Sequence, residues 1–138
     1  MKIALVQSDL YWEDALKNRN NFESKIKQID SEVNLIVLPE MFSTGFTMNA
    51  LAMAEAMNGE TILWVKIIAK QKNCAVTGSL IITENDRYYN RMFFVFPSGE
   101  IPKDVTVNLP SVRRLSFGSS MQPVFTFNES AEIGRAHV

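Results

Sequence analysis

At 138 residues, with 46% hydrophobic and 21% charged residues, the chain has the size and composition of one ordinary globular domain. Its net charge of -1 gives no excess of positive charge for nucleic acid or an anionic membrane, which leaves a small neutral or weakly charged molecule as the expected partner. A single cysteine, Cys74, excludes an internal disulfide, and without a Cys/His cluster no structural zinc site is expected; the implied compartment is the reducing cytoplasm.

The first apolar run, "IALV" at 3 to 6, reads as a buried strand and is too short for the core of a signal peptide. No apolar stretch approaches the ~18 residues of a membrane span. From Trp12 to Asp30, Ala15, Phe22, Ile26 and Ile29 recur on one helical face, with Glu13 and Asp14 suited to the positive end of that helix. "VNLIVL", 33 to 38, is a continuous apolar run of strand length, as in a strand covered on both faces. A helical turn is expected within 50 to 57. A second amphipathic helix follows over 58 to 73, with Asn58 or Thr61 near its start and Ile62, Val65, Ile68 and Ala69 on its inner face. "CAVTGSLII" and "YYNRMFFVF", separated by "ENDR", read as a hairpin over 74 to 96. The order β-α-β-α-β-β predicts an α/β fold.

Beyond Ile101 the pattern changes. Residues 102 to 138 are rich in Pro, Ser and Asn without helical period; Val105 to Leu109 and Val124 to Phe127 are short candidate strands with no evident link to what precedes them. Arg113-Arg114 is too small for a nucleic-acid patch, and His137 is expected to be solvated.

The chemistry-bearing stretch is "LIVLPEMFSTGF", 35 to 46. Reactive groups in open α/β sheets gather beyond the carboxyl ends of strands, and Glu40 follows such an end directly after Pro39. A carboxylate beside apolar rings is desolvated, which raises its pKa and improves it as a proton acceptor near neutral pH. A loop carboxylate capping a neighbouring group is the plainer alternative. There is no phosphate-binding glycine loop, and "TGSLI" lacks the second glycine of a nucleophile elbow.

The stretch "LPEMFSTGF", with "TGSLII" and "YYNR" following, resembles the carbon-nitrogen hydrolase, or nitrilase, superfamily, and within it the bacterial omega-amidase branch. The resemblance implies an α-β-β-α sandwich, of which residues 1–101 would be the N-terminal part and 102–138 an unmatched tail. It implies hydrolysis of amides or nitriles by a Glu, a Lys and a Cys, without a cofactor, on a small-molecule amide, with the full-length protein a homodimer. Glu40 matches the general base. Phe42 is expected at the rim of the substrate pocket, although an aromatic side chain there serves a core equally well.

The other two groups are not matched. "IPKDVTVNL" lacks the family's Tyr-x-Lys, and Lys103 comes about three residues early for the catalytic lysine. Cys74 stands at the start of a strand rather than at the nucleophile's place, as a small apolar filler would. The chain as written is therefore expected not to turn over. Residues 102–138 read either as a natural divergent ending that closes a small domain or as a frameshift or assembly artefact, and the terminal "EIGRAHV", which can be back-translated into what looks like a common sequencing-library adapter, favours the second. The alternative function is that of a catalytically dead α/β binding or interaction module.

Overall fold

The computed structural model describes residues 1–29 and 32–109. The candidate strand at 124 to 127, Arg113-Arg114 and His137 lie outside the described residues.

Five strands form one mixed sheet in chain order: β1 (Ile3–Leu5), β2 (Leu35–Val37), β3 (Ala75–Glu84), β4 (Arg87–Val95) and β5 (Val107–Asn108). The first three are parallel, and β4 runs antiparallel to both β3 and β5. Helices α1 (Ala15–Lys27) and α3 (Glu60–Lys72) connect the parallel strands, with a one-turn helix α2 (Ala50–Met53) between β2 and α3. This is the α/β arrangement that the order of apolar runs predicts.

Register sorts the side chains of the sheet onto two faces. Ala4, Ile36, Val76 and Val95 lie in one row across four strands, on the face that packs with Phe22 and Ile26 of α1 and Ile62, Val65, Ile68 and Ala69 of α3. Leu5, Val37, Thr77 and Phe94 form a row on the opposite face. Among the described residues no helix covers that row at its β1 end, where Leu5 is 74% exposed, and Ile3 and Phe96 are exposed as well. An apolar sheet face open to water favours association. Residues 1–138 expressed alone are therefore expected to elute as oligomer or aggregate in size-exclusion chromatography. A monodisperse monomer with a cooperative thermal melt would contradict this.

Helix α1 starts three residues later than its periodicity predicts. Glu13 takes a left-handed φ of 52°, which no helix continues through, and Asp14 becomes the N-cap, its carboxylate accepting from the Lys17 N–H at 3.0 Å. Helix α3 is capped by neither Asn58 nor Thr61: Gly59 is the N-cap. The Thr61 N–H instead donates to Glu55 Oε1 at 2.9 Å, so a carboxylate from outside the helix satisfies one of its free amides. At the other end Asn73, at φ 49°, closes α3 in the left-handed conformation that Asn tolerates.

The segment after Ile101 is tied to the sheet, contrary to the sequence reading. Val107 pairs with Met92 and Asn108 with Arg91. The Leu109 N–H donates to the Asn90 carbonyl at 2.7 Å, and the Arg91 guanidinium reaches both Asn108 Oδ1 and Glu84 Oε2. The candidate strand at Val105 to Leu109 thus forms over Val107–Asn108, and its tie to β4, which a buried arginine makes, has no signature in the local pattern.

Candidate active site

The parallel ladder continues one residue past β2, where the Leu38 N–H donates to the Thr77 carbonyl at 2.8 Å. Pro39 then fixes its own φ and carries no N–H. Glu40 follows, and Met41 turns the chain at a left-handed φ of 48°. Two contacts hold this corner. The Met41 N–H donates to Ser79 Oγ at 2.9 Å, and the Met41 carbonyl accepts from the N–H groups of Thr44 and Gly45. A non-glycine residue in this conformation is locally strained and persists only when its surroundings over-determine it, as these bonds do.

Phe42 enters the core on the helix side of the sheet. Its ring is fully buried, 5.6 Å from Phe22, 6.0 Å from Trp64 and 6.2 Å from Phe93 between ring centroids. A Cβ on Gly78 would stand 3.4 Å from Phe42 Cδ1 and 3.1 Å from Leu38 Cβ, so the glycine of "TGSLI" serves this close approach. The sequence left Phe42 between pocket rim and core, and the structure places it in the core.

The Glu40 carboxylate lies toward the other face. Its Oε1 accepts a 2.6 Å hydrogen bond from Asn90 Nδ2, and Asn90 pairs with Ile81 in the row that includes Thr77 and Ser79. The aromatic ring expected to desolvate Glu40 is thus on the far side of the sheet. Burial nonetheless raises the Glu40 pKa above that of an ordinary glutamate, and the Asn90 hydrogen bond works against this by favouring the charged form. The sign for stability follows: the folded state holds this proton to higher pH than the unfolded chain, so the penalty from Glu40 appears as pH rises through its folded pKa and vanishes in acid.

A second polar clamp stands nearby. Asn18, fully buried in α1, accepts from the Tyr11 N–H at 2.8 Å and donates to the carbonyls of Tyr11 and Ser43. It ties the loop after β1 to the turn that carries Glu40. Sequence reading overlooked it because a polar residue in an amphipathic helix normally faces water, yet its place four residues before Phe22 puts it in the buried stripe. Asn18→Ala is expected to lower stability by about 3 kcal/mol, since three backbone groups lose their partner, measured as the shift in a urea unfolding midpoint of the full-length protein. A loss below about 0.5 kcal/mol would show that water replaces the amide.

Lys103 is exposed in a single 3-10 turn, Lys103–Val105, and has no salt bridge among the described residues. Cys74 is 1% exposed and belongs to the core cluster. Burial raises its thiol pKa, against a smaller opposite influence of Lys72, which keeps it a thiol and a poor nucleophile. It precedes β3, while Asn90 and Glu40 sit beside Ile81 roughly 20 Å further along that strand. Cys74 and Glu40 therefore cannot share one reaction centre. A cleft of about 780 Å³ opens where the loop after β1 meets Pro39, lined also by Gln7, Asp9, Tyr11, Asn21 and Lys25. Glu40 is not part of its lining. Among the described residues no group of three or more His, Cys, Asp or Glu side chains is placed to hold a metal ion, and no helix is long and apolar enough to cross a membrane.

The α/β sheet thus presents a partly desolvated, amide-clamped carboxylate at a hydrogen-bonded corner past a parallel strand, the end of an open α/β sheet where reactive groups gather. The chain belongs to the carbon-nitrogen hydrolase family, whose model matches residues 2–129, a span that runs past Ile101. It is 34% identical over 101 residues to the omega-amidase YafV of Escherichia coli K12, covering 73% of this chain and 39% of that protein. The YafV omega-amidase of Yersinia enterocolitica is 36% identical with the same coverage, and the 2-oxoglutaramate amidase of Bacillus subtilis 27% identical over 104 residues, covering 74% and 40%. The chain thus spans about two fifths of the length of the curated relatives it matches. A crystal structure of a CN-hydrolase superfamily protein from Xanthomonas campestris, with an arsenic adduct in its active site, superposes with a TM-score of 0.75 at 28% identity, over 82% of this chain and 42% of that one. An N-terminal amidase shares the fold, with a TM-score of 0.67 at 15% identity over 77% of this chain and 27% of that one.

Proposed function

We propose that the chain is the N-terminal part of an omega-amidase-like carbon-nitrogen hydrolase that cleaves the terminal amide of a small dicarboxylic acid monoamide, with Glu40 as general base. The observation that carries this reading is the clamped, partly desolvated carboxylate at the corner after β2. The identity to omega-amidases supports the substrate class. In this mechanism a cysteine thiol gives its proton to Glu40 as the sulfur attacks the amide carbon. A lysine cation balances the charge on the carbonyl oxygen. The proton then passes to the departing nitrogen, which leaves as ammonia; Glu40 next deprotonates the water that opens the thioester.

Neither the lysine nor the nucleophilic cysteine is assigned to a residue of this chain, since Lys103 is early in the sequence and Cys74 is buried far from Glu40. On this reading residues 1–138 do not turn over by themselves, because the matching lysine and cysteine lie in sequence that this chain does not carry. The complete protein acts in the cytoplasm as a homodimer. A single long DNA read through the source gene, from upstream of the Glu40 codon to well past that of Val138, tests this. The expected frame runs on into a Tyr-x-Lys segment and later a cysteine. A frame that ends at "GRAHV" would exclude the triad and leave a binding module.

A further inference from the structure

The hydrogen bond between Asn90 and Glu40 leaves one feature unexplained. Asn90 Nδ2 donates to Glu40 Oε1, while Asn90 Oδ1 is buried and has no hydrogen-bond partner among the described residues. A buried carbonyl oxygen without a donor has given up its hydration with nothing in return, which is destabilising. Such an expense at a single side chain, in contact with the one carboxylate at the strand-end corner, calls for a use.

A carboxamide is unusual in offering both a donor and an acceptor on one flat group. Toward an ionised carboxylate it must present Nδ2, as here. Toward a protonated carboxyl it can present Oδ1 and accept the O–H, after a half-turn about its last torsion. That torsion is broad and two-fold, so both orientations suit the side chain. Serine also offers both functions but reaches less far, and leucine of similar shape offers neither.

We infer that Asn90 is a positioning residue that holds Glu40 in place in both of its protonation states, donating to the carboxylate through Nδ2 and, after rotation of its amide, accepting from the carboxylic acid through Oδ1. The inference rests on Glu40 being the general base, a group that must take up and return a proton during turnover without moving. The orphaned oxygen is then the half of the amide waiting for the other state. Burial raises the Glu40 pKa and the Asn90 amide lowers it, and among the described residues Glu40 has no salt bridge. Arg91, next in sequence to Asn90, lies in the opposite row with Leu80 and is engaged by Glu84 and Asn108. Asp9 and Lys25 line the neighbouring cleft that Pro39 borders, and Lys103 is exposed.

The test uses the full-length protein encoded by the continuous gene, with 13C-labelled glutamate carboxyls and 15N-labelled asparagine amides. Glu40→Gln assigns the Glu40 carbon signal, and Asn90→Leu assigns the Asn90 amide. In the wild type, the Asn90 side-chain amide signals are expected to shift with the same midpoint pH as the Glu40 carboxyl. In Asn90→Leu that carboxyl midpoint moves to higher pH, because the bond favouring the charged form is gone. kcat falls about 10-fold or more while KM changes less than about twofold, as expected for a misplaced base. Asn90→Ser keeps a donor and acceptor and is expected to recover part of the loss. Independent titration of the two signals, or an unmoved Glu40 midpoint in a folded Asn90→Leu protein, would overturn the inference. Failure of the base reading is separate, and is seen as full activity of Glu40→Gln whatever the titrations give.

Discussion

Glu40→Gln in the full-length protein is expected to lower kcat by about 10²–10⁴-fold, the range attributed to a positioned general base, with little change in KM or in thermal stability. The substitution preserves shape and removes the proton-accepting function. The corner that carries residue 40 is held by its neighbours: Ser79 Oγ accepts from the Met41 N–H, and the Met41 carbonyl accepts from Thr44 and Gly45. None of these bonds uses the Glu40 side chain, so the fold has no reason to fail. The change also relieves the burial of a charge, which favours the folded state at neutral pH. Steady-state ammonia release with circular dichroism melts on the same preparation checks both halves. A glutamine variant with activity within a few-fold of wild type would remove Glu40 from the mechanism.

Phe42→Ala is expected to lower stability by about 3–5 kcal/mol. Phe42 is fully buried at the centre of an aromatic group that joins α1 through Phe22, α3 through Trp64 and β4 through Phe93. Truncation removes three ring contacts and leaves a cavity against Gly78, which has no side chain to fill it. The expected outcome in a denaturant titration is an earlier midpoint at unchanged slope. A pocket-rim role predicts the reverse: stability within about 0.5 kcal/mol and a change in KM between amides of different length. Phe42→Leu separates the two further, because it retains part of the core volume but would alter a substrate-contacting rim.

Much of the fold was legible because apolar runs state their own period. "VNLIVL" is too short and too uniform for a surface helix, and "YYNRMFFVF" is an aromatic-rich run of strand length that ends at the "PSG" turn. The hairpin at "ENDR" was readable from turn residues, and Asn85 and Asp86 indeed take positive φ. Helix ends were less legible, since the start of α1 depends on the left-handed Glu13 and the start of α3 on a carboxylate, Glu55, outside the helix. The carboxylate at position 40 was visible from its place after a strand and from the motif around it. What surrounds it was not. Asn90 stands fifty residues away in sequence and meets Glu40 only through the stacking of β2, β3 and β4. The face to which Phe42 turns is likewise decided by the strained Met41 between them, and a positive φ at methionine leaves no mark in composition or periodicity.

The most direct measurement is the rate of ammonia release from 2-oxoglutaramate by the protein expressed from the continuous gene, followed without added metal or cofactor. Saturable release that is abolished by thiol alkylation is the expected result, with residues 1–138 alone inactive in the same assay. No release from this or any related dicarboxylic acid monoamide by a folded, full-length protein would contradict the assignment of Glu40 to an omega-amidase site.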